Sequence, residues 1–159
     1  MNNKEKYHTV RGYELLKRDK NILSHSMEDY LEMIYRNALK DGYIRMNALA
    51  QQLNVQVSSA TKMVQRLSKL GFLNYKKYGS IYLTGKGKEV GNFLYHRHNT
   101  VLEFLKTLGI QEGILTSTEL MEHGISANVV NHMDLLNRFI NENIDIKKRF
   151  EDFKKNSLL

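Results

Sequence analysis

Six side chains in this sequence stand at spacings that suit the binding of a cation. Asp29 and Glu32 lie three apart in SMEDYLEMIY, so a helix through them carries both carboxylates on one face, beside Met33 and the apolar stripe rather than opposite it. Glu119, Glu122 and His123, in TSTELMEHG, stand at i, i+3 and i+4 and again share a face, while His98 falls in the middle of a long helical pattern. Carboxylates and imidazoles converging from three helices would be unstable if buried without a cation. An oxygen-rich set with two histidines and no sulfur favours a hard or borderline divalent ion such as Mn²⁺ over Cu(I) or a structural zinc. Each element also has an ordinary reading: acids at a helix start complement the dipole, Glu-x-x-Glu-His suits a solvated face, and a lone histidine packs between helices. His8, His25, His96 and His132 are assigned no ligand role.

A second constellation is basic. The 159 residues carry 24 Lys and Arg against 17 Asp and Glu, a net charge of +7. Residues 40–90 hold Lys40, Arg45, Lys62, Arg66, Lys69, Lys76, Lys77, Lys86 and Lys88 against only Asp41 and Glu89, which accounts for the whole excess. Basicity gathered in this way has the form of a polyanion footprint, although a solvated basic face would give the same count.

The elements that must position these groups follow from periodicity. Residues 26–40 read as a helix capped by Ser26, with Met27, Tyr30, Leu31, Ile34, Tyr35 and Ala38 on one side and Asp41-Gly42 as its break. A short helix follows Asn47, burying Ala48, Leu49 and Leu53, and a tight turn at residues 55–57 leads into a second helix started by Ser58 or Ser59. That helix turns Ala60, Met63, Val64, Leu67 and Leu70 inward and stops at Gly71. Helix, turn and helix are then followed by two short strands, residues 72–75 and 80–83, joined around Lys77-Tyr78-Gly79, which together make a winged helix. Thr84 caps the next helix, strongly patterned from Phe93 to Leu108, and helices near 111–123 and 126–142 precede a basic tail that can form a last short one.

Composition removes several classes. There is no cysteine, hence no disulfide, thiolate metal site or cysteine nucleophile, and no proline. No apolar run reaches the roughly 18–20 residues of a membrane span, and the polar N-terminus lacks the apolar core of a signal peptide. A cytoplasmic location is expected.

In a winged helix the second helix enters the major groove by its N-terminus, which turns Ser58, Ser59, Thr61, Lys62 and Gln65 outward. The hydroxyls and free backbone N–H groups suit phosphate. Gln65 suits adenine, and Lys62 or Arg66 suits guanine or phosphate. Lys76, Lys77 and Tyr78 at the hairpin tip suit the sugar–phosphate backbone.

Taken in order, SMEDYLEMIY, VSSATKMVQRLSKLGFLNYKKYGSIYLTGKGKEVG, YHRHNTVLEFLKTLGI and ELMEHGIS resemble the diphtheria-toxin-repressor family over about residues 26–143, and within it the manganese-transport branch. The resemblance implies a winged-helix domain and a helical dimerisation domain with metal bound between them as corepressor. It assigns Asp29, Glu32, His98, Glu119, Glu122 and His123 as ligands, and two adjacent ions, with Glu122 a bridge. The iron-responsive branch typically has Met at the position of Asp29 and Cys at that of Glu119, so both positions follow the manganese pattern. Three features depart from the family: the first 25 residues are an extension, the link from His98 to Glu119 is about one residue short, and the SH3-like third domain of the iron-responsive members is not expected.

The reading is therefore a mainly α protein: an N-terminal extension over 1–25, a winged helix-turn-helix DNA-binding domain over 26–92, and an all-helical dimerisation and metal-binding domain over 93–159. Its expected function is a homodimeric, Mn(II)-activated transcriptional repressor, with no enzymatic activity and no membrane partner. It would bind two ions per chain and palindromic operator DNA near manganese uptake genes. The alternative is a metal-independent winged-helix regulator that answers a small organic ligand. A metal-dependent hydrolase lacks an evident nucleophile or oxyanion site and leaves the basic wing unexplained.

Overall fold

A computed structural model of the chain describes residues 12, 14–16, 23–75 and 79–157. The chain forms two compact units, Met1–His96 and Arg97–Leu159.

In the first unit, helix α1 spans His25–Asp41. Its cap is Ser24 rather than Ser26: Ser24 is extended, with φ −81° and ψ 162°, and its Oγ accepts from the Met27 N–H at 3.4 Å. The serine that can cap is the one whose backbone has not yet turned helical. Gly42 ends the helix at φ 78°, donating its N–H to the Ala38 carbonyl. Met27, Tyr30, Leu31 and Ile34 are buried as the spacing predicts, and Tyr35 and Ala38 are half-buried.

Strand β1, Ile44–Arg45, runs directly into helix α2, Met46–Gln52. Asn47 is therefore inside the helix, and Arg45 occupies the cap position without a side-chain bond. The Met46 N–H is instead satisfied by the Gly79 carbonyl at 2.8 Å. Asn54 takes a left-handed φ of 52° in the turn that follows. Helix α3, Val57–Lys69, starts one residue before Ser58, with Gln56 extended at the cap. It buries Ala60, Val64 and Leu67 against the unit's core.

Strand β2, Leu73–Tyr75, pairs antiparallel with β3, Ser80–Leu83, in the register Leu73↔Leu83 and Tyr75↔Ile81. β1 adds to the other side of β3 with Ile44↔Ile81. The resulting order is β1-β3-β2, the sheet of a winged helix-turn-helix, and it is the only sheet among the described residues. Phe72, Leu73 and Ile81 close the core beneath α3.

Helix α4, Gly85–Leu108, begins as Thr84 accepts the Gly87 N–H on its Oγ1 at 3.0 Å and donates the same hydroxyl to the Gly71 carbonyl at 2.7 Å. Gly87 is required by packing: a Cβ there would stand 2.0 Å from the Phe72 carbonyl oxygen. Tyr35 OH on α1 donates to Asn92 Oδ1 at 2.9 Å, and burial, followed by the neighbouring Tyr95, raises the Tyr35 phenol pKa.

The second unit is helical throughout its described residues, apart from the turns that join its helices. Helix α5, Ile114–Glu122, starts three residues later than the spacing predicts, because Gly113 takes a left-handed φ of 65° just before it. Helix α6, Ala127–Glu142, is capped by Ser126, and Asn137 on it donates to the Thr100 carbonyl of α4 at 3.0 Å. The basic tail forms helix α7, Ile144–Ser157, of 14 residues and none buried. Val101, Leu105, Thr118 and Val130 form the interior of this unit.

Candidate metal centre and nucleic-acid interface

Each unit carries its own part of the predicted ligand set. In the first unit, Asp29 is half-buried and Glu32 is 6% exposed, one helical turn apart on α1. Glu32 is ion-paired to Arg36 one turn further on. Glu28, which no motif singled out, is also buried, at 8% exposed.

In the second unit, α4 presents His98 and α5 presents Glu122. His98 Nδ1 lies 3.0 Å from Glu122 Oε2, and Glu122 is only 2% exposed. A carboxylate taken so far from water needs a partner, and the imidazole supplies one. His123, where α5 ends, turns its Nδ1 to within 3.4 Å of Arg97 Nη2. Arg97 is 4% exposed, and the sequence does not betray it, since a basic residue in a helix gives no sign of its burial. Glu119 shares the helix with Glu122 but is exposed, so the shared face of the Glu-x-x-Glu-His pattern runs from the interior at Glu122 to solvent at Glu119.

The donor chemistry fits a divalent ion. His98 and Glu122 place an imidazole nitrogen and a carboxylate oxygen together, with no sulfur from cysteine in the chain. Their 3.0 Å contact is a hydrogen-bond separation, and the fit to an ion rests on the donor types. Buried carboxylates with imidazole and no thiolate suit hard or borderline ions.

The nucleic-acid face is built on α3. Ser58, Ser59, Lys62, Gln65 and Arg66 are exposed. Ala60 is the first residue of α3 whose N–H is bonded back, to the Gln56 carbonyl, so those of Val57, Ser58 and Ser59 have no intrahelical partner and point out of the helix start. Thr61 differs: it is half-buried and its hydroxyl donates to the Val57 carbonyl at 2.8 Å, leaving it only as an acceptor. Val55 and Val57 are exposed apolar residues at the same helix end, and their lack of polar groups gave no signal in the sequence. Lys86 is engaged elsewhere, its Nζ 4.2 Å from the Phe72 ring centroid. Lys76, Lys77 and Tyr78 lie outside the described residues.

Comparisons with known proteins find a DNA-binding segment followed by a metal-binding and dimerisation segment. Residues 22–81 match the family model described as iron dependent repressor, N-terminal DNA binding domain, and residues 84–151 match the iron dependent repressor metal binding and dimerisation domain. The HTH-type transcriptional regulator MntR of Oceanobacillus iheyensis is 42% identical over 132 residues, covering 82% of this chain and 87% of that protein. Among solved structures, T. acidophilum IdeR aligns with a TM-score of 0.62 at 27% identity, over 74% of this chain and 55% of that one. The manganese regulator SloR aligns with a TM-score of 0.60 at 28% identity, over 72% of this chain and 53% of that one. This chain thus spans about half the length of those two structures. No helix among the described residues is long and apolar enough to cross a membrane.

Proposed function

From its membership of the iron dependent repressor family, whose members are metal-responsive, DNA-binding transcriptional repressors rather than enzymes, we propose that this chain answers to Mn²⁺. The observation that carries the reading is the buried pair of His98 and Glu122 inside the segment matched by the metal-binding model. Similarity to proteins named MntR and to the manganese regulator SloR supports manganese as the ion. The proposed ligands are Asp29, Glu32, His98, Glu119, Glu122 and His123, drawn from both units on the strength of their motifs, and two ions per chain are proposed.

When bound, the metal supplies positive charge that offsets the carboxylates and ties their helices together. Asp29 and Glu32 lie on α1, the helix against which the helix-turn-helix packs, so whatever fixes them restrains the reading head. His98 and Glu122 restrain α4 and α5 in the same way. None of these groups has to touch DNA: the ligand set need only be better formed in the DNA-competent arrangement. A coupling of about 1–3 kcal/mol changes operator affinity roughly 5–150-fold. Ser58, Ser59, Lys62, Gln65 and Arg66, with Lys76, Lys77 and Tyr78, are the proposed DNA contacts.

The repressor acts as a homodimer, for which the exposed Leu135, Leu136 and Phe139 of α6 offer apolar surface. Its proposed operators are palindromic, matching the twofold axis of a dimer, and lie near manganese uptake genes; its proposed location is the cytoplasm. The reading is tested by the crystal structure of the Mn²⁺-loaded chain, with ions located by anomalous scattering at the manganese edge. Two peaks among the six ligands are expected. Peaks elsewhere would overturn the ligand set.

A further inference from the structure

Glu32 is the most buried carboxylate of α1, and Arg36 is ion-paired to it from one turn further along. The guanidinium is not loose in solvent. Its Cζ lies 5.7 Å from the centre of the Tyr95 ring, which packs at 5.9 Å against Tyr35, itself hydrogen-bonded to Asn92. An aromatic shelf built from α1 and the first half of α4, all within the first unit, thus carries Arg36. A planar guanidinium held on a ring loses less freedom on pairing than a loose side chain. A pair with a buried carboxylate is also screened less than one at the surface.

We infer that Arg36 is a built-in counter-charge for Glu32 that lowers the affinity for the corepressor ion and so sets the metal concentration at which the repressor responds. The inference rests on Glu32 being a ligand. Two cations then compete for one carboxylate. Either the guanidinium withdraws and gives up its pairing, or it stays and repels the incoming ion, and both outcomes oppose metal binding. No ligand is added or removed by this device. It shifts the threshold through charge, with the Tyr95 shelf holding the charge in place.

Mn²⁺ titrated into the full chain, with free Mn²⁺ followed by its electron spin resonance signal, tests this in four variants. Arg36→Met keeps an unbranched stem on Tyr95 without charge, and Arg36→Gln keeps a hydrogen bond without charge. Both are expected to bind Mn²⁺ about three- to tenfold more tightly, the size of a partly buried charged interaction. Arg36→Lys keeps the charge and is expected within about twofold of the parent. Glu32→Gln is expected to weaken binding. Unchanged or weaker binding by both Arg36→Met and Arg36→Gln, with Glu32→Gln still weakened, overturns the counter-charge and leaves Glu32 as a ligand. Unchanged binding by Glu32→Gln overturns the ligand reading and the inference with it. Tighter binding by Arg36→Lys as well would mean that shape, not charge, is responsible, and would also overturn it.

Discussion

His98 Nδ1 and Glu122 Oε2 lie 3.0 Å apart in the interior of the second unit, contributed by helices whose residues are 24 apart in the chain. Nothing local brings them together. The turn at Gly113 and the start of α5 at Ile114 set which face of α5 meets α4, and Glu122 is the acid on that face.

Removing one member takes a buried partner from the other. His98→Ala leaves the Glu122 carboxylate buried without its imidazole, and should destabilise the metal-free protein by about 1–3 kcal/mol, read as a lower denaturant midpoint at unchanged slope. His98→Ala and Glu122→Gln should both lose Mn²⁺ binding. Retained binding in both would remove the pair from the site.

Asp29→Met introduces a soft thioether where an oxygen donor stands, and should loosen the preference for Mn²⁺ over Fe²⁺. Competition between the two ions for the variant and parent chains, under anaerobic conditions, reads this directly. A variant whose preference between the two ions matches the parent's would count against Asp29 as a ligand.

Lys62 is exposed on α3, away from the buried face of its helix. Lys62→Ala should weaken DNA binding and reduce the slope of log K against log salt by about 0.9 for each phosphate that the lysine neutralises. An unchanged slope would mean that Lys62 does not reach phosphate.

Gly87→Ala should cost about 1–3 kcal/mol of stability, because its Cβ would collide with the Phe72 carbonyl at 2.0 Å. Gly85→Ala, where a Cβ meets nothing within 4 Å, is the matched control and should be neutral or stabilising. Thermal melts of the two variants compare them.

Much of this architecture was legible because periodicity records which face of a helix is buried. Met27, Leu31 and Ile34 on α1, and Ala60, Val64 and Leu67 on α3, sit inside as their spacing requires. The paired strands β2 and β3 of the wing were legible as well. Strand β1 was not, since two residues, Ile44 and Arg45, make no pattern and are recruited by β3 from a distance. The start of α2 was displaced for the same kind of reason: Met46 is satisfied by Gly79 across the unit, not by a cap read from its neighbours. Spacing put Glu119 and Glu122 on one face but could not say that the first reaches solvent while the second is 2% exposed. Arg36 and Arg97 entered the sequence only as charge, and their positions against Glu32 and His123 are facts of the folded chain.

The central claim is that divalent metal raises the affinity for operator DNA through this ligand set. A duplex enriched from a random library by the Mn²⁺-loaded chain is titrated with the same protein, by fluorescence anisotropy, after chelation and again after Mn²⁺ is restored. The account predicts a loss of affinity of roughly 5–150-fold on chelation, recovered with Mn²⁺ in the parent and not in Glu122→Gln. Equal affinity with and without Mn²⁺ would contradict it.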